Sequence, residues 1–189
     1  MSSVSIQGNA SGTGIFTIAS PNSNTNRTLT LPDNTGTILT GSSSITASQL
    51  PAGSVLQVVS KYDASTSSSS ASYADVFATD LSITLSSTAN KIYLLVTSPF
   101  TTASNSGGSA DVGAVMNIVR TTSGSDVQLV EGRIRAQSLN DFNSPLAMSF
   151  EDSSFSVTTQ TYNVQFKRYG GNDAANTQYT QFIAMEIKA

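Results

Sequence analysis

The chain has 189 residues, 38% hydrophobic and 11% charged, with a net charge of −3 and neither Cys nor His. Disulfides, zinc sites built on thiolate or imidazole, and His-dependent nucleophilic catalysis are therefore excluded, and the basic footprint of a nucleic-acid binder is missing. The length suits one domain of ordinary size with an appendage.

The start, Met1-Ser-Ser-Val-Ser-Ile-Gln7, has neither the basic region nor the apolar stretch of a secretory signal. No apolar run reaches the roughly 18 residues of a membrane span. The expectation is a protein made in a reducing cytoplasm, where a Cys-free chain is at home, and released by a route such as lysis.

Residues 1–41 read as a first unit, rich in Gly, Ser, Thr and Asn. Its apolar residues come in short groups: Ile15, Phe16 and Ile18, then Leu29 and Leu31, then Ile38 and Leu39. Thr28-Leu-Thr-Leu31 alternates with the period of a strand. Pro32-Asp-Asn-Thr-Gly36 is a turn, because Pro fixes φ while Asp, Asn and Gly accept left-handed backbone. Arg27–Gly41 is thus predicted to be a hairpin. With so few large apolar groups it closes no core alone, so it docks on its own chain or is completed by others.

Residues 42–53 form a small-polar linker that ends in Leu50-Pro-Ala-Gly53, the entry to a second unit over 54–189. Val55–Val59 leads it, and a Ser-rich loop follows over Ala64–Ser72. Leu81, Ile83 and Leu85 alternate with Ser82 and Thr84 as a half-buried strand, whereas Ile92-Tyr-Leu-Leu-Val96 predicts a strand buried on both faces. A Gly/Ser/Asn loop is expected over Thr101–Ser109, a strand over Val112–Arg120, a turn over Thr121–Asp126 and a strand over Val127–Ile134. After a loop over Ala136–Pro145 come strands around Leu146, Met148 and Phe150 and around Tyr162, Val164 and Phe166. Gly170-Gly-Asn-Asp173 turns the chain into a last strand over Tyr179–Ile187. A strand ending at the terminus is expected inside a sheet, because at an edge it would fray. No segment holds a helical period. The prediction is an all-β antiparallel sandwich or jelly roll of about eight strands.

The search for chemistry returns structural readings. Glu151 and Asp152 are adjacent and so point to opposite faces of a strand, which does not suit paired carboxylates acting on one sugar. Asp75, Asp80, Asp126 and Glu131 read as turn and rim groups. Asn140-Asp141 and Asn172-Asp173 offer oxygen ligands for Ca²⁺ but are also ordinary turn residues. Catalytic residues, metal ligands and cofactors are expected to be none. Arg120, Arg133, Arg135, Lys167 and Arg168 group along the sequence, with Arg133 and Arg135 on one strand face. If their strands are neighbours, they can meet an acidic surface, an anionic glycan or carboxylates at a rim. Tyr73 and Tyr169 are the loop-placed aromatics that suit stacking on a ligand sugar.

Gly12-Thr-Gly-Ile-Phe-Thr-Ile18, followed by Asn26-Arg-Thr-Leu-Thr-Leu-Pro-Asp-Asn-Thr-Gly-Thr-Ile-Leu-Thr40, resembles a segment of fibre proteins of tailed bacteriophages, cyanobacterial ones among them. Leu50-Pro-Ala-Gly-Ser-Val-Leu-Gln-Val-Val59 and Ser86-Ser-Thr-Ala-Asn-Lys-Ile-Tyr-Leu-Leu-Val96 look like the distal domain that follows it. Tyr162-Asn-Val-Gln-Phe166, a Gly-Gly turn and Phe182-Ile-Ala-Met-Glu-Ile187 resemble the jelly-roll heads of the tumour-necrosis-factor and complement-like class, a likeness of fold that implies no activity. These resemblances imply a homotrimeric, non-enzymatic virion component that contacts other virion proteins. It would be a short fibre or capsid-surface decoration, with Ile15, Phe16, Ile18, Leu29, Leu31, Ile38 and Leu39 buried in assembly. In that reading the head is expected to contact host surface glycans; the alternative expectation is the receptor-binding tip of a tail fibre or baseplate.

Overall fold

The computed structural model describes residues 44–103, 112–122, 124–136, 142–170 and 175–189, and of the first 43 residues 5, 7–8, 10–15, 17–19, 21–28, 30 and 35. The chain divides into two units, Met1–Ser43 and Ser44–Ala189. In the first unit Ile15 and Ile18 are 93% and 77% exposed. Arg27, Thr28, Thr30 and Thr35 belong to no strand in the single chain. Phe16, Leu29, Leu31, Ile38 and Leu39, with the Pro32–Asn34 part of the expected turn, lie outside the described residues.

The second unit opens with one turn of 3-10 helix over Ala47–Gln49, inside the expected linker. Thr46 caps it reciprocally, with its N–H donating to Gln49 Oε1 at 2.8 Å. Nine strands follow among the described residues: β1 (Val55–Ser68), β2 (Ala74–Asp75), β3 (Leu81–Thr84), β4 (Lys91–Ala103), β5 (Val112–Thr122), β6 (Ser125–Ala136), β7 (Phe142–Asp152), β8 (Thr159–Gly170) and β9 (Ala175–Ile187). They form two sheets, β1-β9-β4-β7 and β2-β8-β5-β6, with β3 also on β8. Every pairing is antiparallel.

The pairs β1 with β9, β2 and β3 with β8, β4 with β7, and β5 with β6 are those of one long hairpin doubled on itself. Joining them through β4–β9 and β5–β8 winds that hairpin into a jelly roll. The chain is thus all-β, and its last strand sits inside a sheet between β1 and β4.

Alternation builds the core. Ile92, Leu94, Val96, Phe182 and Ala184 of the first sheet meet Ala114, Met116, Ile118, Tyr162, Val164 and Phe166 of the second, all 0% exposed. Val76 and Phe77 fill the gap between sheets from the β2–β3 connection, with the Phe77 ring stacked on Phe182 at 6.1 Å between centroids.

Several strand limits differ from the sequence expectation. Ser65–Ser68, read as loop, are the end of β1 and pair with Gln178–Ala175 of β9. Thr101–Ala103 continue β4, Phe142–Pro145 open β7, and β9 starts at Ala175 rather than Tyr179. In each case a partner strand supplies hydrogen bonds to a stretch whose small polar side chains carry no apolar alternation. The largest difference is in β4. Ile92, Leu94 and Val96 are fully buried, but Tyr93 is 36% exposed and Leu95 only half-buried, so the strand is covered on one face rather than two.

Candidate functional site

The outward face of the second sheet gathers cations and tyrosines. Glu131, Arg133 and Arg135 stand on β6, two residues apart and so on one face. Across β5, Arg133 is aligned with Val115 and Lys167, and Arg135 with Gly113 and Tyr169. Tyr73 approaches from just before β2, which pairs with β8 through Ala74 and Phe166. Alternation along β5 sends Ala114, Met116 and Ile118 into the core. Val115 points the other way yet is 0% exposed, roofed by the side chains of its neighbours.

The groups are held in place by one carboxylate. Glu131 accepts a hydrogen bond from the Tyr73 hydroxyl at 2.6 Å through Oε2 and from Arg133 Nε at 2.7 Å through Oε1. Both bonds hold the Glu131 carboxyl below its usual range, the Tyr73 contribution being the larger. Burial, then the bond to Glu131, pushes the Tyr73 hydroxyl up, so it stays a donor. Glu131 raises Arg133 in turn. Lys167 Nζ lies 4.0 Å from the Tyr73 ring centroid, and Arg133 and Arg135 lie 5.4 and 5.8 Å from that of Tyr169. Next to this row, Asn117 is 2% exposed and its Oδ1 is buried without a partner. Gln165, aligned with Asn117, donates to Asp75 and Asp126 at 3.1 and 2.7 Å. The face therefore grades from cationic near Gly113 to acidic near the β5–β6 turn.

Tyr73 and Tyr169, singled out in the sequence, thus share one patch with Arg133, Arg135 and Lys167. Arg120 and Arg168 do not join it. Arg120 Nη1 donates to both Asp152 oxygens at 2.9 Å and lies over the Phe155 ring, and Tyr162 donates to Asp152 Oδ2 at 2.8 Å. Arg120 also lines a shallow cleft with Phe155, Val157 and Gln160, but its guanidinium is already committed there. Arg168 follows Lys167 and so faces the opposite side of the sheet. Asp152 is buried and Glu151 exposed, on opposite faces as adjacent strand residues require. Glu131 was read in the sequence only as a rim carboxylate. Its spacing from Arg133 was visible, but its bond to Tyr73, 58 residues away, was not.

A second feature lies on the outward face of the first sheet. One row across β1, β9, β4 and β7 reads Val58, Met185, Tyr93, Glu151, and the next reads Ser60, Ile183, Leu95, Ser149. Tyr62 follows on β1, 62% exposed, and Val55 and Val58 are 51% and 57% exposed. A solvated face of an antiparallel sheet is ordinarily polar. Here one row is apolar over three adjacent strands, β1, β9 and β4, and the next over two, β9 and β4.

Among the described residues no cluster of acidic residues is arranged to hold a metal ion, and no helix is long and apolar enough to cross a membrane.

No protein-family model matches the chain, and no curated protein sequence does. Solved structures align over the sandwich. A capsid protein, VP2, in a subviral particle of infectious bursal disease virus matches with a TM-score of 0.40 and 8% identity, over 68% of this chain and 32% of that one. The dimeric latent PorU of Porphyromonas gingivalis matches with a TM-score of 0.40 and 12% identity, over 73% of this chain and 14% of that one. The Gx strain of infectious bursal disease virus gives 0.35 and 10%, over 71% and 33%. The chain spans about a third of the viral chains and a much smaller part of PorU. Likenesses of this size carry no argument about activity, partners or assembly.

Proposed function

We propose that the protein is a non-enzymatic structural component of a bacteriophage virion, a homotrimeric short fibre or surface decoration. The observation that carries the reading is the apolar outward face of the first sheet. β4 has the sequence of a strand buried on both sides, and among the described residues only one of its faces is covered. Self-association through Tyr93, Leu95, Ile183 and Met185 supplies the missing cover. The number three and the virion rest on the resemblance of residues 12–40 to phage fibre segments and of the head to trimeric jelly rolls. In that reading residues 1–41 anchor the protein or intertwine with their copies.

Light scattering at micromolar concentration tests association: a trimer is expected, and a stable monomer overturns it. Deleting residues 1–48 tests the anchor. The remaining chain should fold, since β1–β9 build the whole core, and should fail to enter particles. Normal incorporation reduces the segment to a spacer. A second reading, the receptor-binding tip of a tail fibre or baseplate, is favoured by the cationic and aromatic patch on the other sheet. Immunogold labelling of intact particles separates the two, with label on the capsid for decoration and on the tail for the tip.

A further inference from the structure

We propose that the patch around Arg133, Arg135, Lys167, Tyr73 and Tyr169 binds an acidic polysaccharide, a sugar chain bearing carboxylate or sulfate groups. The proposal rests on the surface-exposed virion reading for where such a chain is met, and on the patch alone for its chemistry.

The first argument is charge. The chain carries 12 acidic and 9 basic residues, yet three of the nine stand on this one face around a single bridging carboxylate, Glu131. An acidic protein that concentrates its cations creates a local attraction for anions. The acidic pair Asp75 and Asp126 lies beyond, at the Gln165 end, and gives the site a direction.

The second argument is preorganisation. Glu131 takes Arg133 through Nε, on a side chain 57% exposed, a bond that does not use the Nη edge. That edge of a guanidinium is the fork that grips carboxylate or sulfate with two parallel bonds. Lys167 and Arg135 stand beside tyrosine rings, 4.0 and 5.8 Å from the ring centroids, so the patch positions these cations on aromatic groups.

The third argument is relief. At Gly113, aligned with Arg135 and Tyr169, the backbones of β5 and β6 approach so closely that an added Cβ would run into the carbonyl oxygen of Ile134, and with no side chain at that position Arg135 reaches the Tyr169 ring. The exposed edges of Tyr73 and Tyr169 offer apolar surface for the C–H groups of a sugar ring.

The geometry favours a polymer. Arg133 and Lys167 are two strands apart, roughly 10 Å between backbones, on an open face rather than in the concave pocket typical of a small ligand. A chain with repeating acidic sugars can lie along such an open face and meet the cations of β6 and β8 together. Peptide or nucleic-acid polyanions share the charge but not the fit of sugar C–H faces to tyrosine edges.

Titration calorimetry on the full chain tests this with oligogalacturonate, a sulfated galactan oligosaccharide, maltohexaose, polyglutamate and single-stranded oligothymidylate. At least one of the two acidic sugars should bind, with affinity falling as salt is raised, and maltohexaose should not. Arg133→Gln should weaken binding about tenfold, as loss of a charge-assisted bond implies. Lys167→Gln should weaken it too, while Lys91→Gln on the other sheet should leave it unchanged. Thermal melts establish that each variant is folded, and Tyr169→Leu gives a second, uncharged perturbation that should also weaken binding. The proposal is overturned if neither acidic sugar binds, if the patch variants bind like the parent chain, or if polyglutamate or oligothymidylate binds as well as the sugars. Light scattering on the same samples keeps the readings apart. A trimer that binds no acidic sugar removes this proposal alone, and a monomer that binds one removes the assembly reading alone.

Discussion

Glu186 on β9 is 1% exposed, and the described bonds to its carboxylate come from uncharged donors. Gln57 Nε2 donates to Oε2 at 2.6 Å, while the Ser86 N–H, the Ser86 hydroxyl and Asn90 Nδ2 donate to Oε1 at 2.7, 2.8 and 2.6 Å. Burial by itself raises the carboxyl, but the bonds from Asn90, Gln57 and Ser86 outweigh it, and the group is held below its ordinary range. Because its folded-state value is depressed, Glu186 stabilises the fold above the unfolded Glu value of about 4.3. That stabilisation is lost as pH falls through the lower folded value. Urea midpoints of the parent chain should therefore drop as pH falls below about 4.3. In Glu186→Gln the new amide faces donors, so stability should be lower at pH 7 by about 2 kcal/mol and the acid dependence shallower. An unchanged pH profile would count against the role. The donors were legible in the sequence only as loop and strand polar groups, because they come from β1 and the β3–β4 connection, which only the fold brings to Glu186 on β9.

At the scale of elements, glycine sets how closely the sheets approach. Gly132 on β6 faces inward, and a Cβ there would lie 2.5 Å from Met148 Sδ and 2.9 Å from Met148 Cγ on β7. β6 and β7 are the last strands of their sheets, so this contact closes one side of the sandwich. Gly132→Val should cost about 2 kcal/mol by overpacking, read as a lower urea midpoint. In a Met148→Ala background most of that cost should vanish, because the two sites share the same space. Equal costs in both backgrounds would place the strain elsewhere. The strands themselves were largely readable. Leu81–Thr84, Val112–Arg120 and Tyr162–Phe166 alternate or run apolar as their burial requires. The Ser-rich end of β1 was not, because its side chains mark neither face and only the backbone of β9 makes it a strand.

At the scale of the molecule, the two outward faces differ in kind. The first sheet presents Val58, Tyr93, Leu95, Ile183 and Met185, and the second presents charge over tyrosine. A change on the apolar face should act on association and leave the core intact, since none of these side chains belongs to the buried cluster. Ile183→Asp should convert the associated form to monomer by light scattering while circular dichroism keeps its β signature. Persistence of the oligomer would move the interface off this face. The patch on the second sheet should be unaffected by that substitution, because β9 lies in the other sheet.

The sequence by itself determined the all-β class, the jelly-roll reading, the absence of His and Cys chemistry and the interior placement of the last strand. Those follow from local periodicity and composition, which short stretches of chain carry whole. It also put Arg133 and Arg135 on one face, since two residues in a strand always share a side. Tertiary structure decided that Lys167, Tyr169 and Tyr73 stand beside them and that Arg120 goes instead to Asp152. Among the described residues it also left β4 with one face of its apolar strand uncovered. These are matters of which distant strands become neighbours, and strand pairing depends on the winding of the whole hairpin rather than on any stretch within it.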